Sequence, residues 1–256
     1  MMKLATWNVN SLKVRLPHLL DWLTLQQPDV VCLQETKLED VNFPRDVIAS
    51  AGYQVIYCGQ KAYNGVAILS RLPLLDVVIG IPGWEDAQQR VIAATVDGVR
   101  VVCVYVPNGQ SLDSDKYQYK LAWLRALTAY LAAVLLDYPK LVVLGDYNIA
   151  PTDNDVYDAV AWGAGVLVSA AEREAFGQLL ELGLTDSFCL FEQSAAVFTW
   201  WDYRMAAFRR NMGARIDHIL LSAALAKTCT SWAMDKAPRK LERPSDHAPV
   251  MVTCAL

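Results

Sequence analysis

The chain repeats one pattern: a short apolar run, rich in Val, Ile and Leu, that stops on a polar residue. LATWNVN ends at Asn8 and Asn10, PDVVCLQET at Gln34 and Glu35, and RVVCVYVPNG at Tyr105 and Asn108. KLVVLGDYN ends at Asp146 and Asn148, ARIDHILLS carries Asp217 and His218, and PSDHAPVMVTC opens on Asp246 and His247. Apolar runs of this length suit strands covered on both faces. Between them lie helical patterns over residues 16–26, 116–136 and 170–182, the last opened by the capping box Ser169-Ala-Ala-Glu172. Alternating strands and helices predict an α/β protein with helices layered over sheet. Asp97-Gly98, inside TVDGVRVV, predicts a hairpin and with it antiparallel pairing. Each half of the chain holds several strands and a long helix. That predicts two similar sheets packed face to face, although no repeat is visible residue by residue.

Composition narrows the setting. The 256 residues are 54% apolar and 20% charged, with no Ser/Gly/Pro-rich linker, which predicts a single domain over 1–256. A net charge of −4 excludes a histone-like polycation. Nucleic acid stays possible, because only the field at the binding face matters. The six cysteines are scattered without zinc-ligand spacing, and Cys32, Cys103 and Cys254 lie in or beside apolar runs. Free thiols used as small hydrophobes fit a reducing cytoplasm better than a disulfide framework. MMKLATWNVNSL lacks a secretory apolar core. The most apolar segment, 121–136, is interrupted by Arg125 and Thr128 and is short for a membrane span, so it is read as a buried helix.

An Asp or Asn after a strand is first of all a turn former. Asp146 and Asn148 resist that reading, because residues two apart in an extended chain face the same way. Glu35 is a poor turn residue, and Asp217, beside Ile216 and Ile219, would be a half-buried carboxylate in need of a partner. Asp246-His247 supplies the type of partner required. The set Asn8, Glu35, Asp146, Asn148, Asp217, Asp246 and His247 is oxygen-rich, with one imidazole and no thiol. Such donors suit a hard cation, Mg²⁺ or Mn²⁺, rather than structural zinc. A hard metal, a water-orienting carboxylate and a His–Asp pair make a phosphodiester-cleaving site.

TWNVNSL, PDVVCLQETK, NGVAILS, YVPNG, LGDYNIAPTD, FTWWDYR, ARIDHILLS and PSDHAPV, in this order from about residue 3 to 253, resemble the exonuclease III family of DNA-repair phosphoesterases. The resemblance implies a four-layer α/β sandwich, two packed mixed or antiparallel sheets flanked by helices, with the site at one edge. It implies that Glu35, supported by Asn8, is the main metal ligand and that Asp146 handles the attacking water. Asn148 would orient that water or the phosphate, Tyr105 would bond the phosphate, Asp217 would orient His247, and Asp246 would touch the metal shell. One or two ions are open; with two, Asp146, Asn148 and His247 are also ligands. Duplex DNA with 3′ ends, nicks or abasic sites is the implied partner of a cytoplasmic monomer.

Basic residues Arg204, Arg209, Arg210, Arg215, Arg239, Lys240 and Arg243 flank two of the motifs, and Arg90, Lys61 and Lys120 match family positions near the substrate strand. Phosphate contacts of this kind are sequence-blind. Trp200 and Ile216 match the walls of the family's abasic-sugar pocket, where Ala214 replaces a bulkier residue. A shallower pocket predicts 3′-end processing over abasic-site incision. The alternatives are an enzyme that is mainly an abasic endonuclease and a DNA-binding module without chemistry. A secreted deoxyribonuclease or a lipid phosphatase fits the sequence less well.

Overall fold

Residues 1–193 and 196–256 are described by a computed structural model. The strands among them are β1 (Met2–Asn8), β2 (Val30–Gln34), β3 (Gln54–Cys58), β4 (Val66–Ser70), β5 (Leu75–Ile79) and β6 (Val91–Val96). Then follow β7 (Val99–Tyr105), β8 (Leu141–Asp146), β9 (Leu184–Asp186), β10 (Asp217–Ser222), β11 (Cys229–Met234) and β12 (Val250–Cys254). They form two six-stranded sheets, ordered β11-β12-β1-β2-β4-β3 and β5-β6-β7-β8-β10-β9.

The two sheets share one pairing scheme. In each, the only parallel neighbours among the described strands are the third and fourth, β1/β2 and β7/β8; every other pair is antiparallel. A parallel pair needs a crossover. The helices Leu12–Gln26 and Asp115–Asp137 supply them. The resemblance between halves that the sequence hides is therefore a resemblance of topology. Asp97 and Gly98 both take positive φ (47° and 76°) between β6 and β7, the conformation of a tight hairpin turn.

Side-chain alternation sorts each strand between two cores. Leu4, Val30, Cys32, Ile68, Val101, Cys103, Val142, Leu144, Ile219 and Val252 meet between the sheets. Trp7, Leu33 and Leu69 instead face the helix Leu12–Gln26, and Val102, Val143 and Leu220 face the helices Asp115–Asp137 and Ala170–Glu181. The order is helix, sheet, sheet, helix, the four-layer sandwich. The helix Asp115–Asp137 is long and apolar enough, at mean hydropathy 1.3, to cross a membrane. It is longer than its apolar run suggests, and Trp123, Leu124, Leu127 and Leu131 are buried against the second sheet. Ser169 and Glu172 form the expected capping box.

Candidate active site

The inter-sheet face of each strand is the even positions of β1, β2 and β8 and the odd positions of β7 and β10. Continued to the strand ends, that periodicity presents Asn8, Gln34, Tyr105, Asp146 and Asp217 at one edge of the sandwich. Register places Asn8 beside Gln34, Tyr105 beside Asp146, and Asp146 beside Asp217. A Cβ at position 145 would stand 1.8 Å from the Val104 carbonyl oxygen, so only Gly lets β8 lie this close to β7 just before Asp146. Beneath the edge, the Gln34 amide donates to Thr6 Oγ1 (3.0 Å) and to Cys103 Sγ (3.4 Å), tying the two sheets.

Asn8 is fully buried and bridges the sheets again, with Nδ2 donating to Glu35 Oε1 (2.8 Å) and to Asp146 Oδ2 (2.9 Å). Glu35 follows β2 in a left-handed conformation (φ 53°), uncommon for Glu, and its carboxylate accepts from Tyr105 Oη (2.9 Å) and pairs with Lys37 Nζ (2.7 Å). Burial works to raise the Glu35 pKa, but the Lys37 ammonium and the Asn8 amide outweigh it and hold the group below its ordinary value. Burial and the Glu35 charge push the Tyr105 phenol well up, so it keeps its proton.

Asp146 and Asn148 are joined by a turn. Asn148 takes φ 49°, its backbone N–H donates to Asp146 Oδ1 (2.9 Å), and its Nδ2 donates to Asp146 Oδ2 (3.3 Å) and to the Val106 carbonyl (3.0 Å). The extended geometry expected for GDYN is corrected: the strand stops at Asp146, and the turn brings Asn148 round. Turn and site are the same structure here.

His247 precedes β12. Its Nδ1 lies 2.9 and 3.1 Å from the Asp217 carboxylate oxygens, and its Nε2 lies 3.8 Å from Asp146 Oδ2. The partner Asp217 needs is thus His247, and the carboxylate is more deeply buried than expected, at 1% exposure. Burial disfavours the imidazolium, but Asp217 and Asp146 outweigh it and push the His247 pKa up to about 10. Burial raises Asp146 to about 7, with Asp217 adding to the rise and His247 opposing it.

Glu35, Asp146 and His247 place one ligand atom each within 4.8 Å of one another. Four carboxylates, Glu35, Asp146, Asp217 and Asp246, converge here on Lys37 and His247, an excess of negative charge that fits a hard divalent cation. This edge of two mixed sheets has the donor set of a cation site, built from residues spread over the whole chain. The sequence matches the endonuclease/exonuclease/phosphatase family over residues 5–247. The chain belongs to that family.

Within it, the relatives are of the exonuclease III type. Exodeoxyribonuclease III of Haemophilus influenzae is 35% identical, covering 97% of this chain and 98% of that protein. Exodeoxyribonuclease of Bacillus subtilis is also 35% identical, over 97% and 98%. Among solved structures, the Neisseria 3′ phosphatase NExo, bound to a product DNA hairpin, is 48% identical with TM-score 0.98 over 100% of both chains. An AP endonuclease from Archaeoglobus fulgidus is 37% identical with TM-score 0.96 over 100% of both.

Several expected substrate contacts are corrected by burial. Lys120 is 0% exposed, paired with Glu172, and Arg215 is 3% exposed, with Nε 2.6 Å from Asp155 and Nη1 2.6 Å from Asp186. Neither is open to a DNA strand. Arg239 is likewise buried, its guanidinium set among Trp201, Tyr203 and Phe208 and bonded to the Ser245 carbonyl. Arg90 stacks on the Tyr105 ring at 4.6 Å and borders an open cleft of about 680 Å³. Lys61, Arg204, Arg209, Arg210, Lys240 and Arg243 are exposed.

Asp246 lies outside the Glu35–Asp146–His247 cluster, and Trp200 Nε1 (2.9 Å) and Asn10 Nδ2 (2.9 Å) each donate to one of its oxygens. The sugar-pocket expectation also changes. Ala214 and Ile216 are closed off in an apolar cluster with Val156, Leu167 and Val168, against which Trp162 and Trp200 pack. Trp200 borders a separate open cavity of about 580 Å³ with Trp162, Met205 and Met212. Sequence reading missed Lys37, two residues past Glu35 on the same motif, and Ser245. The Ser245 hydroxyl donates to the Asn8 carbonyl (2.7 Å) and accepts from the His247 N–H (3.2 Å). The spacing of QETK and SDH is the signal that could have found both.

Proposed function

We propose that the protein is a Mg²⁺-dependent DNA phosphoesterase that works on 3′ ends, releasing 3′ phosphates, blocked sugars and terminal nucleotides from duplex DNA, as a cytoplasmic monomer. The observation that carries this reading is the meeting of Glu35, Asp146 and His247 with their ligand atoms within 4.8 Å. The 48% identity to a 3′ phosphatase points to the substrate class. Glu35 and Asp146, held by Asn8, are the residues that would hold the ion. When bound, the metal supplies Lewis-acid stabilisation of charge on the phosphoryl oxygens.

The chain's own groups do the rest. Asp146, made more basic by burial, accepts the proton of the attacking water at a carboxylate oxygen, and Asn148 beside it orients that water. The water oxygen bonds to phosphorus as the bond to the 3′ oxygen breaks; the departing oxygen takes a proton from solvent, Asp146 later returns its own, and the products are a 3′ hydroxyl and the released phosphate or nucleotide. His247, kept as an imidazolium by Asp217, presents positive charge to the phosphoryl oxygens, which gather negative charge in the transition state. Tyr105, still protonated and stacked under Arg90, gives its one O–H to Glu35 and so steadies that carboxylate at the same face. Asp217 acts through His247 and not on the phosphate.

The apolar closure around Ala214 and Ile216 leaves those two residues no free surface for an extruded abasic sugar, which favours 3′-end processing. End-labelled duplexes carrying a 3′ phosphate at a nick, a plain recessed 3′ end or an internal abasic site, compared at equal enzyme with Mg²⁺, test the reading. Fast release of 3′ phosphate and slow abasic cutting are expected. Equal or faster cutting of the abasic duplex would make abasic incision the main activity, and no Mg²⁺-dependent turnover of any duplex would remove the enzymatic reading.

A further inference from the structure

The second sheet's loops are held from below by a charge that the chemistry above does not use. Lys120, on the helix Asp115–Asp137, is 0% exposed, and its ammonium meets the Glu172 carboxylate. It donates to two further acceptors, the main-chain carbonyls of Asn108 (3.1 Å) and Asn148 (2.7 Å). An ammonium has three N–H donors, and all three are satisfied. Glu172 is committed as fully: it accepts from Leu167 N (3.1 Å), from Ser169 N (3.1 Å) and from Ser169 Oγ (2.6 Å).

The two carbonyls belong to the loops that leave β7 and β8 beside the site. On the opposite side of the same loops, Asn108 Nδ2 donates to Asn148 Oδ1 (3.0 Å), and Asn148 in turn bonds Asp146. Each asparagine therefore turns its carbonyl toward Lys120 and its side chain toward the reacting edge. An exposed lysine would be worth little here. A buried one with a carboxylate partner fixes three chain segments on one point charge.

We infer that Lys120 and Glu172 form a positioning clamp that sets Asn148, steadied by Asn108, for the attacking water, an inference that rests on the phosphoesterase reading above. Neither residue touches substrate. A buried ion pair is weak evidence of net stability, because a neutral pair of similar size often folds as well or better. Removing both charges together therefore separates holding the fold from holding the asparagines.

The test compares the wild type with Lys120→Met/Glu172→Gln, using 3′-phosphate release from a nicked duplex with Mg²⁺, thermal melting, and amide hydrogen exchange. The double variant is expected to melt near the wild type. Its kcat should fall about 100-fold, the scale of an active group displaced by about 1 Å. KM should change by less than about threefold, since substrate binding is untouched. Exchange should quicken by about tenfold in peptides covering 107–110 and 147–150 and stay unchanged in β7. A double variant with wild-type kcat and unchanged exchange overturns the clamp, as does a loss confined to KM. If that double variant does not fold, Lys120→Gln/Glu172→Gln, which also removes both charges, is read the same way. If the wild type turns over none of the duplexes, the phosphoesterase reading fails, and the exchange experiment still decides the clamp.

Discussion

Equivalent rows of the two sheets carry different chemistry. In the first sheet the row across β1, β2 and β4 reads Asn8, Gln34, Val66; in the second the row across β7, β8 and β10 reads Tyr105, Asp146, Asp217. The first row is two amides and a Val, all buried, and its polar members bond across to the other sheet. The second row is a phenol and two carboxylates in register. The first sheet contributes its reactive groups from outside its strands: Glu35 one residue past β2, Lys37 two further on, and His247 ahead of β12. The same scaffold thus serves in one half as a rigid wall and in the other as the source of in-strand acids. Two acid rows facing one another would need more countercharge than a single site offers, and a neutral row opposite an acidic one avoids that.

The largest effects should come from crossing that division. Asp217→Asn leaves the second row intact in shape but removes the charge that orients His247, and a loss of about 10⁴ in kcat is expected, the size seen when a His-orienting carboxylate is neutralised. Glu35→Ala, from the first sheet, should lose activity on a similar scale. The double variant should lose little more than either alone, because both serve one transition state. Single-turnover kinetics with saturating Mg²⁺ measures all three, and additive losses would mean that the halves act separately.

Asn8→Ala removes a side chain that donates to acids from both sheets. A drop of about 10²–10³ in kcat is expected, as for other single buried donors at reacting centres. Asn8→Asp should be no better, since it adds a charge where a donor is required. Retention of wild-type kcat in Asn8→Ala would show that the two acids hold their positions without the bridge.

Behind the second row, Arg215 spans Asp155 and Asp186 and stacks on Phe188 at 4.1 Å. Burial works to raise Asp186, but Arg215 and His218 outweigh it and hold the carboxyl well below the usual range. With the folded pKa below the unfolded value of about 3.9, the stabilisation is present above that pH and is lost as the pH falls toward the folded value. Asp186→Asn should cost about 3 kcal/mol at neutral pH, from an under-paired buried guanidinium. It should also flatten the loss of stability between about pH 4 and pH 2. Urea unfolding across that pH range reads both.

The smallest effect tests the closed pocket. Ala214 is 0% exposed, so Ala214→Leu adds volume to a filled cluster and should destabilise by about 1–3 kcal/mol. It should not raise abasic cutting selectively. A selective rise with unchanged melting would show that the cluster opens on DNA.

Much of the fold was written locally. Apolar runs of strand length, the Asp97-Gly98 turn and the Ser169–Glu172 cap each report on neighbours within a few residues, and each formed as expected. The site was half legible for the same reason. A polar residue that continues a strand's inward face, such as Asn8, Asp146 or Asp217, shows itself by period two alone. What period two could not say is which partner each would meet. Asp217 and His247 lie 30 residues apart, and Asn8 and Asp146 lie 138 apart.

The cations divide most sharply. Lys120, Arg215 and Arg239 look in sequence like Arg209 and Arg210, yet the first three are buried and the last two exposed. A basic side chain in a sequence states only that it requires water or an acceptor. Whether that acceptor is a DNA phosphate or an internal Glu172, Asp186 or Ser245 carbonyl depends on which distant segment packs against it, and only the tertiary structure decides that.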